Sequence, residues 1–207
     1  MGWTIENWPL LATAAGQHLA LVGQALAIAL AASLVLGIAS ARRPALYGAV
    51  IGVTGALYTI PSLALLAMLI PLFGLGQAPA VTALVLFSLL ILTRNIATGL
   101  REVPAETLEA ADGMGFGRAA RLWRIELPLA LPAIVSGIRL AVVTQIAVAT
   151  IAAYVGAGGL GMIVFAGIEQ DFPEKIAAGA LAAAAMALAA DWGLRRIERA
   201  MRARIAP

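Results

Sequence analysis

The chain has 207 residues, of which 62% are hydrophobic and 12% are charged, with a formal net charge of +3 and no cysteine. An average soluble domain has roughly 25% charged residues, so this composition excludes an ordinary soluble domain and indicates an integral membrane protein. The lack of cysteine excludes disulfide bonds and thiolate metal sites within these residues.

Long uncharged segments predict the membrane spans. Residues 19–41, 44–93 and 140–168 contain no Asp, Glu, Lys, Arg or His, and a helix needs about 20 apolar residues to cross the hydrocarbon core. The second segment is long enough for two crossings. A turn near its middle is marked by Pro71, Gly74, Gly76 and Pro79.

We therefore predict an all-α membrane protein, because unpaired backbone groups are not tolerated in lipid and these segments lack the alternation of an outer-membrane barrel. Residues 1–207 are expected to form a single transmembrane domain. Five spans are predicted near residues 18–40, 46–71, 79–98, 132–154 and 174–195.

The basic residues predict the orientation. They form three clusters, at Arg42 and Arg43, from Arg94 to Arg124, and from Arg195 to Arg204. With five crossings all three clusters fall on one face, and Lys and Arg beside a span are retained in the cytoplasm. The amino terminus is thus expected outside and the carboxyl terminus inside. The positive charge reflects this topology and needs no nucleic-acid partner, although the basic tail can also contact membrane lipid.

A charged loop at residues 99–131 separates the third and fourth predicted spans. Its first part predicts a short helix that starts at Pro104, carries Glu106 and Glu109 in its opening turns, and ends at Gly113 and Gly115. A second, amphipathic helix is predicted from about Arg118 to Leu127, followed by Pro128 and Pro132 at the entry to the fourth span.

This loop resembles the cytoplasmic-loop signature of binding-protein-dependent ABC importer permeases. In that signature Glu-Ala-Ala is followed after three residues by Gly, and after nine more by Ile-x-Leu-Pro. The matching positions are Glu109, Ala110, Ala111, Gly115, Ile125, Leu127 and Pro128. The resemblance implies that the loop docks on an ATP-hydrolysing subunit. We expect the coupling residues to be Glu109, Ala110, Ala111, Gly113, Gly115, Arg118, Ile125, Leu127 and Pro128.

Further stretches are similar to the short permeases of osmoprotectant importers. They are TIPSLALLAMLIP at 59–71, RNIATGL at 94–100, ELPLALPAIVSGIRLA at 126–141 and YVGAGGLG at 154–161. The resemblance implies a type I ABC importer transmembrane fold, similar to methionine permeases, in a bacterial inner membrane. It also implies a solute such as glycine betaine, choline or carnitine. The implied partners are a pair of ABC ATPase subunits, a second identical or homologous permease, and an extracytoplasmic solute-binding protein.

ATP chemistry is expected on a separate subunit. The sequence has no G-x-x-x-x-G-K-[ST] motif, and the glycines of YVGAGGLGM are not followed by a lysine. The sequence also offers no metal-ligand or nucleophile constellation, so we expect no catalytic residue, no metal and no cofactor on this chain. ATP and Mg belong to the partner ATPase.

Glycine, proline, arginine and aromatic residues are the candidates for lining the solute pathway or the gate. The glycine cluster is interpreted either as a packing turn or as a re-entrant segment that lines the outer gate. Arg139 either faces the pathway or extends to the inner face, and Pro61 predicts a kink in the second span. Aromatic rings that can hold a quaternary ammonium group are Tyr58, Tyr154, Phe87 and Phe165. The candidates are Tyr58, Pro61, Ser62, Arg139, Tyr154, Gly156, Gly158, Gly159 and Gly161.

Three other polar residues, and the other classes of membrane protein that the sequence allows, complete the predictions. Asp191 and Arg195 are four residues apart, which predicts an ion pair within one helix. His18 lies at the outer edge of the first predicted span and is expected at the membrane–water interface. An ion-gradient-driven transporter is the alternative class, but it requires acids deep in its spans and only Asp191 is a candidate. An ABC permease for another small solute, such as an amino acid, also remains open, and a membrane enzyme is disfavoured.

Overall fold

The structure, a computed structural model, describes residues 2–205 of the chain and the side chains of residues 2–203. Within the described residues the fold is all-helical, with ten α-helices and no strand. The helices are α1 (Gly2–Glu6), α2 (Trp8–Ala41), α3 (Pro44–Thr59), α4 (Ser62–Phe73), α5 (Gln77–Arg101), α6 (Ala105–Gly113), α7 (Arg118–Arg121), α8 (Leu127–Ile151), α9 (Leu160–Glu169) and α10 (Pro173–Ile205). A π-helical turn at Leu122–Glu126 and a 3₁₀ turn at Ala152–Val155 extend α8 at its two ends.

Four of the described helices are long and apolar enough to cross a membrane. They are α2, α5, α10 and a 38-residue helix at Arg118–Val155 that contains α7, the π turn, α8 and the 3₁₀ turn. The predicted spans 18–40, 79–98, 132–154 and 174–195 lie within these helices. Each helix is longer than its predicted span: α2 begins ten residues earlier with the largely apolar segment 8–17, and α10 continues through the basic turns after Arg195.

The second predicted span differs from the expectation of one kinked helix at residues 46–71. Helices α3 and α4 are bent by 98° at a short break. Ile60 and Pro61 there adopt extended backbone, with ψ of 128° and 133°. Proline disfavours the helical conformation of the residue before it and has no N–H for the helical ladder. The fifth crossing therefore exists only if this bent pair counts as one span.

The centre of the bundle is formed by α2, α5 and α8. Leu21 of α2, Leu84 of α5 and Ile146 of α8 are almost completely buried in one cluster, which α4 closes with Leu66. Small residues allow the helices to approach closely: a Cβ atom at Gly37 would lie 2.6 Å from the Ile96 side chain. Such close backbone approach is a main source of helix association in lipid.

Arg139 of α8 holds α10 against the bundle. Its Nη1 lies 2.8 Å from Asp191 Oδ1, and its Nε lies 3.3 Å from Glu198 Oε2. The interpretations of Arg139 as facing the pathway or extending to the inner face stay predictions, because an ion pair with α10 is compatible with both. Asp191 also forms the predicted pair with Arg195, at 2.7 Å.

Candidate coupling site and glycine-rich turn

The tip of the loop is a tight turn that ends α6. Gly115 has a φ of +81°, and the N–H groups of Gly115 and Phe116 donate to the carbonyls of Asp112 and Ala111 at 3.0 and 3.1 Å. This pair of bonds is the Schellman arrangement, in which a left-handed residue satisfies the last carbonyls of a helix. Only Gly115 needs positive φ, since Gly113 is the last residue of α6.

The matched Glu-Ala-Ala residues do not share one environment. Glu109 and Ala110 are exposed, and Met114 at the tip is 69% exposed. Ala111 is completely buried within the chain, so it cannot face a partner as its neighbours can. The exposed surface of α6 and its turn, comprising Glu109, Ala110, Asp112, Gly113, Met114 and Gly115, is called the tip surface below.

The second half of the loop is the beginning of a membrane helix. We predicted a separate helix from Arg118 to Leu127 with prolines at its junction to the span, but the helix continues without interruption to Val155. The π turn makes this possible, because the Leu127 N–H donates to the Leu122 carbonyl immediately before Pro128. Pro128 follows directly in the continuing helix, where the wider π turn accommodates the N–H group that proline lacks.

A buried carboxylate ties these helices to α2. Glu126 is only 3% exposed, and its two oxygens lie 2.6 Å from Arg42 Nη2 and 2.9 Å from Arg121 Nε. Arg121 Nη1 in turn lies 2.6 Å from Asp112 Oδ1 on α6. The chain of ion pairs from Arg42 through Glu126 and Arg121 to Asp112 therefore links the end of the first span to the tip surface.

The sequence analysis missed Glu126. Its only signal was an acidic residue between the matched Ile125 and Leu127, in a helix otherwise rich in arginine. Ile125 and Leu127 themselves are half-buried, whereas Arg118 and Pro128 are exposed.

The glycine cluster forms a turn at the opposite end of the same long helix. Gly156, Gly158 and Gly159 have φ of +77°, +83° and +84°, and they lead into α9, which at ten residues is about 15 Å long. A helix of this length cannot cross the membrane. A Cβ atom at Gly161 would overlap the Thr150 carbonyl oxygen of α8, so glycine is required for the packing of α9 as well as for the turn.

Two consecutive residues of α2 bind the start of α9. Gln17 Oε1 accepts the Gly159 N–H at 3.1 Å, and His18 Nδ1 accepts the Leu160 N–H at 3.3 Å. His18 Nε2 lies 3.0 Å from the Ile146 carbonyl, which makes Nε2 the protonated nitrogen of a neutral ring. The expectation of an interfacial His18 is wrong, because the residue is completely buried between α2, α8 and α9.

The predicted aromatic residues form two separate pairs. Tyr58 packs edge-on against Phe87 with ring centroids 5.9 Å apart, and Tyr154 lies 6.4 Å from Phe165. Both tyrosines are exposed. Pro61 and Ser62 lie at the break between α3 and α4, close in sequence to Tyr58, while Tyr154 belongs to the 3₁₀ turn before the glycines.

Residues 33–203 match the family described as the binding-protein-dependent transport system inner membrane component. The chain belongs to this family. It is therefore a permease component of an ABC importer and a multi-pass inner membrane protein, in agreement with the resemblance of the loop and with its apolar helices.

Curated relatives of this permease extend over most of its length. It is 41% identical over 201 residues to the osmoprotectant import permease protein OsmW of Salmonella typhimurium, covering 95% of this chain and 94% of the relative. It is 38% identical to the carnitine transport permease protein OpuCB of Listeria monocytogenes, covering 93% and 88%. It is also 40% identical to the choline transport system permease protein OpuBB of Bacillus subtilis, covering 79% and 76%.

Solved structures establish the fold. A chain of the MetNI methionine ABC transporter in an inward-facing conformation superposes with a TM-score of 0.85 at 22% identity, covering 95% of this permease and 98% of that chain. An amino acid ABC transporter superposes with a TM-score of 0.73 at 18% identity, covering 97% and 96%. The predicted type I importer fold is therefore confirmed.

Proposed function

We propose that this permease carries a small quaternary ammonium solute, such as glycine betaine, choline or carnitine, from an extracytoplasmic binding protein into the cytoplasm. Two ATPase subunits drive the movement, and a second identical or homologous permease completes the pathway. The arginine-rich face is cytoplasmic, with the amino terminus outside and the carboxyl terminus inside. The observation that carries this proposal is the tip surface at one end of a 38-residue helix whose other end is the glycine-rich turn.

This helix supports a mechanical coupling between the two ends. A continuous helix of 38 residues is about 57 Å long, longer than the hydrocarbon core of about 30 Å. Near the tip surface, Glu126 of the long helix forms an ion pair with Arg42 at the end of α2. Near the other end, Thr150 of the long helix packs closely against Gly161 of α9. A displacement imposed on the tip surface by the ATPase therefore reaches the long helix through the Asp112–Arg121 pair, and the long helix transmits it to the glycine-rich turn.

The glycine-rich turn is proposed to form the outer gate. Its backbone adopts conformations that favour glycine, and Gln17 and His18 of α2 accept hydrogen bonds from the Gly159 and Leu160 N–H groups. Each such bond contributes about 1 kcal/mol, so these two bonds can break and reform within a transport cycle. Leu160 also packs against Leu11 and Ala14 of α2.

The solute class is supported by the names of the relatives and by exposed aromatic rings. OsmW, OpuCB and OpuBB are named for osmoprotectant, carnitine and choline transport. A quaternary ammonium group binds the faces of aromatic rings without needing a carboxylate, and Tyr58 and Tyr154 are exposed. The methionine and amino acid transporters share the fold at only 22% and 18% identity, so their substrates do not indicate the solute of this permease.

An ion-gradient mechanism lacks support among the described residues. Asp191, the acid that the sequence offered as an ion relay, is paired with Arg139 and Arg195. Glu126 is buried but is likewise paired with two arginines. A relay needs a carboxyl group that is free to exchange ions or protons, whereas each of these two carboxylates is already bound by two arginines.

Uptake into proteoliposomes tests the proposal. The permease is reconstituted with its ATPase and binding protein, and accumulation of labelled glycine betaine, choline, carnitine and methionine is measured with and without internal ATP. We expect ATP-dependent uptake of at least one quaternary ammonium solute and none of methionine. Uptake driven by a proton or sodium gradient without ATP would contradict the mechanism, and preferential methionine uptake would contradict the solute class.

A charge reversal on the tip surface distinguishes a loss of ATPase docking from a loss of folding. Glu109→Lys is expected to abolish uptake and co-purification of the ATPase, whereas the control Glu106→Lys, on the first turn of the same helix, retains both. Glu106 and Glu109 are both exposed, so neither change disturbs the core. Equal activity of the two variants would exclude Glu109 from the docking surface.

A further inference from the structure

A cavity of about 490 Å³ opens between the end of α2 and the start of the long helix. Its polar wall consists of Arg42, Arg43, Arg118, Arg121 and Glu126. Four arginines line the opening, and Glu126 and Asp112, both paired with Arg121, offset two of them, so an excess of two positive charges remains. Concentrated positive charge of this kind attracts an anion with several oxygen acceptors.

Two of these arginines have no ion-pair partner among the described residues. Glu126 is occupied by Arg42 and Arg121, while Arg43 and Arg118 are exposed and form no such pair within residues 2–203. They belong to different elements, since Arg43 precedes α3 and Arg118 begins α7. An anion held by both would bridge the end of the first span and residues 118–126, which are called the coupling segment below.

The remaining wall is apolar. It is formed by Ile38, Ala39, Ala41, Leu100 and Leu122. A free phosphate ion gains nothing from this surface, because its full hydration is lost there without replacement. A phosphate that carries a glycerol backbone and acyl chains would contact the arginines with its oxygens and the apolar wall with its carbon atoms.

The cavity also lies where lipid headgroups are found. Its walls include the last turns of two apolar membrane helices, α2 ending at Ala41 and α5 ending at Arg101. Trp123, the residue after the lining Leu122, is 68% exposed, and exposed tryptophan is typical of the membrane–water interface. Basic pockets between membrane helices at this depth suit anionic phospholipid headgroups.

We infer that this cavity binds the phosphate headgroup of an anionic phospholipid, held by Arg43 and Arg118 with Arg42 and Arg121 behind them. The bound lipid joins the end of α2 to the coupling segment. This site is independent of the solute that the permease carries.

Lipid binding to the purified full chain tests the inference. Native mass spectrometry measures the dissociation constant of phosphatidylglycerol, with phosphatidylcholine as the zwitterionic comparison and inorganic phosphate as the competitor. We expect phosphatidylglycerol to bind more tightly than phosphatidylcholine and to resist displacement by millimolar phosphate. The double variant Arg43→Gln/Arg118→Gln should weaken phosphatidylglycerol about 30-fold, as expected for two arginines near an anionic group.

A matched variant controls for overall charge. Arg94 and Arg199 are also exposed and form no ion pair among the described side chains, so Arg94→Gln/Arg199→Gln removes the same charge elsewhere. We expect its affinity for phosphatidylglycerol to stay within about twofold of the original. Equal losses in the two double variants, equal binding of phosphatidylcholine, or displacement by phosphate would each overturn the assignment.

Fluorescence quenching locates the lipid even if the affinity measurement is disturbed by a change in folding. In a variant with Trp3, Trp8 and Trp192 replaced by Phe, Trp123 is the remaining tryptophan. Brominated phosphatidylglycerol should quench it more strongly than brominated phosphatidylcholine at the same mole fraction. Equal quenching by the two lipids would show that no anionic lipid is enriched beside the cavity.

Discussion

Glu126 and Arg42 lie 84 residues apart in the sequence and 2.6 Å apart in the structure. Their ion pair joins the π turn of the long helix, about two turns after its start at Arg118, to the end of α2. Because Glu126 also binds Arg121, a single carboxylate holds both the first span and the coupling segment in register. Breaking a buried carboxylate contact of this kind leaves charges without partners, which is strongly unfavourable.

The first prediction concerns this carboxylate. Glu126→Gln keeps the size of the side chain but leaves Arg42 and Arg121 without a charged acceptor. We expect the permease to lose about 1–3 kcal/mol of stability and a large part of its ATP-dependent uptake. Thermal unfolding in detergent and proteoliposome uptake measure the two effects. The control is Glu102→Gln, since Glu102 is exposed at the end of α5, and a similar loss there would refute a special role for Glu126.

The second prediction concerns the turn at the tip surface. Gly115→Ala places a Cβ atom on a residue with φ of +81°, which costs about 1–2 kcal/mol. Gly113→Ala changes a helical, exposed residue of the same turn and is expected to stabilise α6 by roughly 0.5–1 kcal/mol. We expect only Gly115→Ala to reduce ATP-dependent uptake. Indistinguishable uptake by the two variants would show that the geometry of the turn is not needed for coupling.

The third prediction concerns orientation. The sequence has no cysteine, so single cysteines can be introduced without background. Met114→Cys, at a position 69% exposed, should react in intact cells only with membrane-permeant thiol reagents, because we place the tip surface in the cytoplasm. Gln170→Cys, exposed at the end of α9, should also react with impermeant reagents. The reverse labelling pattern would refute the orientation and the coupling role together.

The fourth prediction concerns the proposed gate. Gln17→Leu removes the acceptor of the Gly159 N–H, a bond of 3.1 Å between α2 and the glycine-rich turn. We expect slower uptake with normal ATPase assembly, because the tip surface lies at the other end of the long helix. Gln24→Leu, an exposed glutamine on the same helix, serves as the control. Unaltered uptake by the Gln17 variant would show that this bond has no part in gating.

The sequence by itself determined the features that depend on neighbouring residues. Uncharged segments of helix length predicted the membrane helices, because a span must supply about 20 apolar residues in succession. The spacing of Glu109, Gly115 and Pro128 supported the resemblance to the permease family, which is confirmed, and four-residue spacing predicted the Asp191–Arg195 pair. Each of these signals extends over a few turns of helix, so it can be read without knowing how the helices pack.

Only the tertiary structure decided the contacts between distant residues. Pro61 predicted a kink, but the 98° bend depends on how α3 and α4 pack. His18 is buried because α8 and α9 cover it, and Arg139 of α8 forms ion pairs with Asp191 and Glu198 of α10. Glu126 likewise contacts Arg42 only because of how the helices pack. An apolar stripe on one helix can pack against several different helices, so the sequence alone does not determine which polar residues become partners.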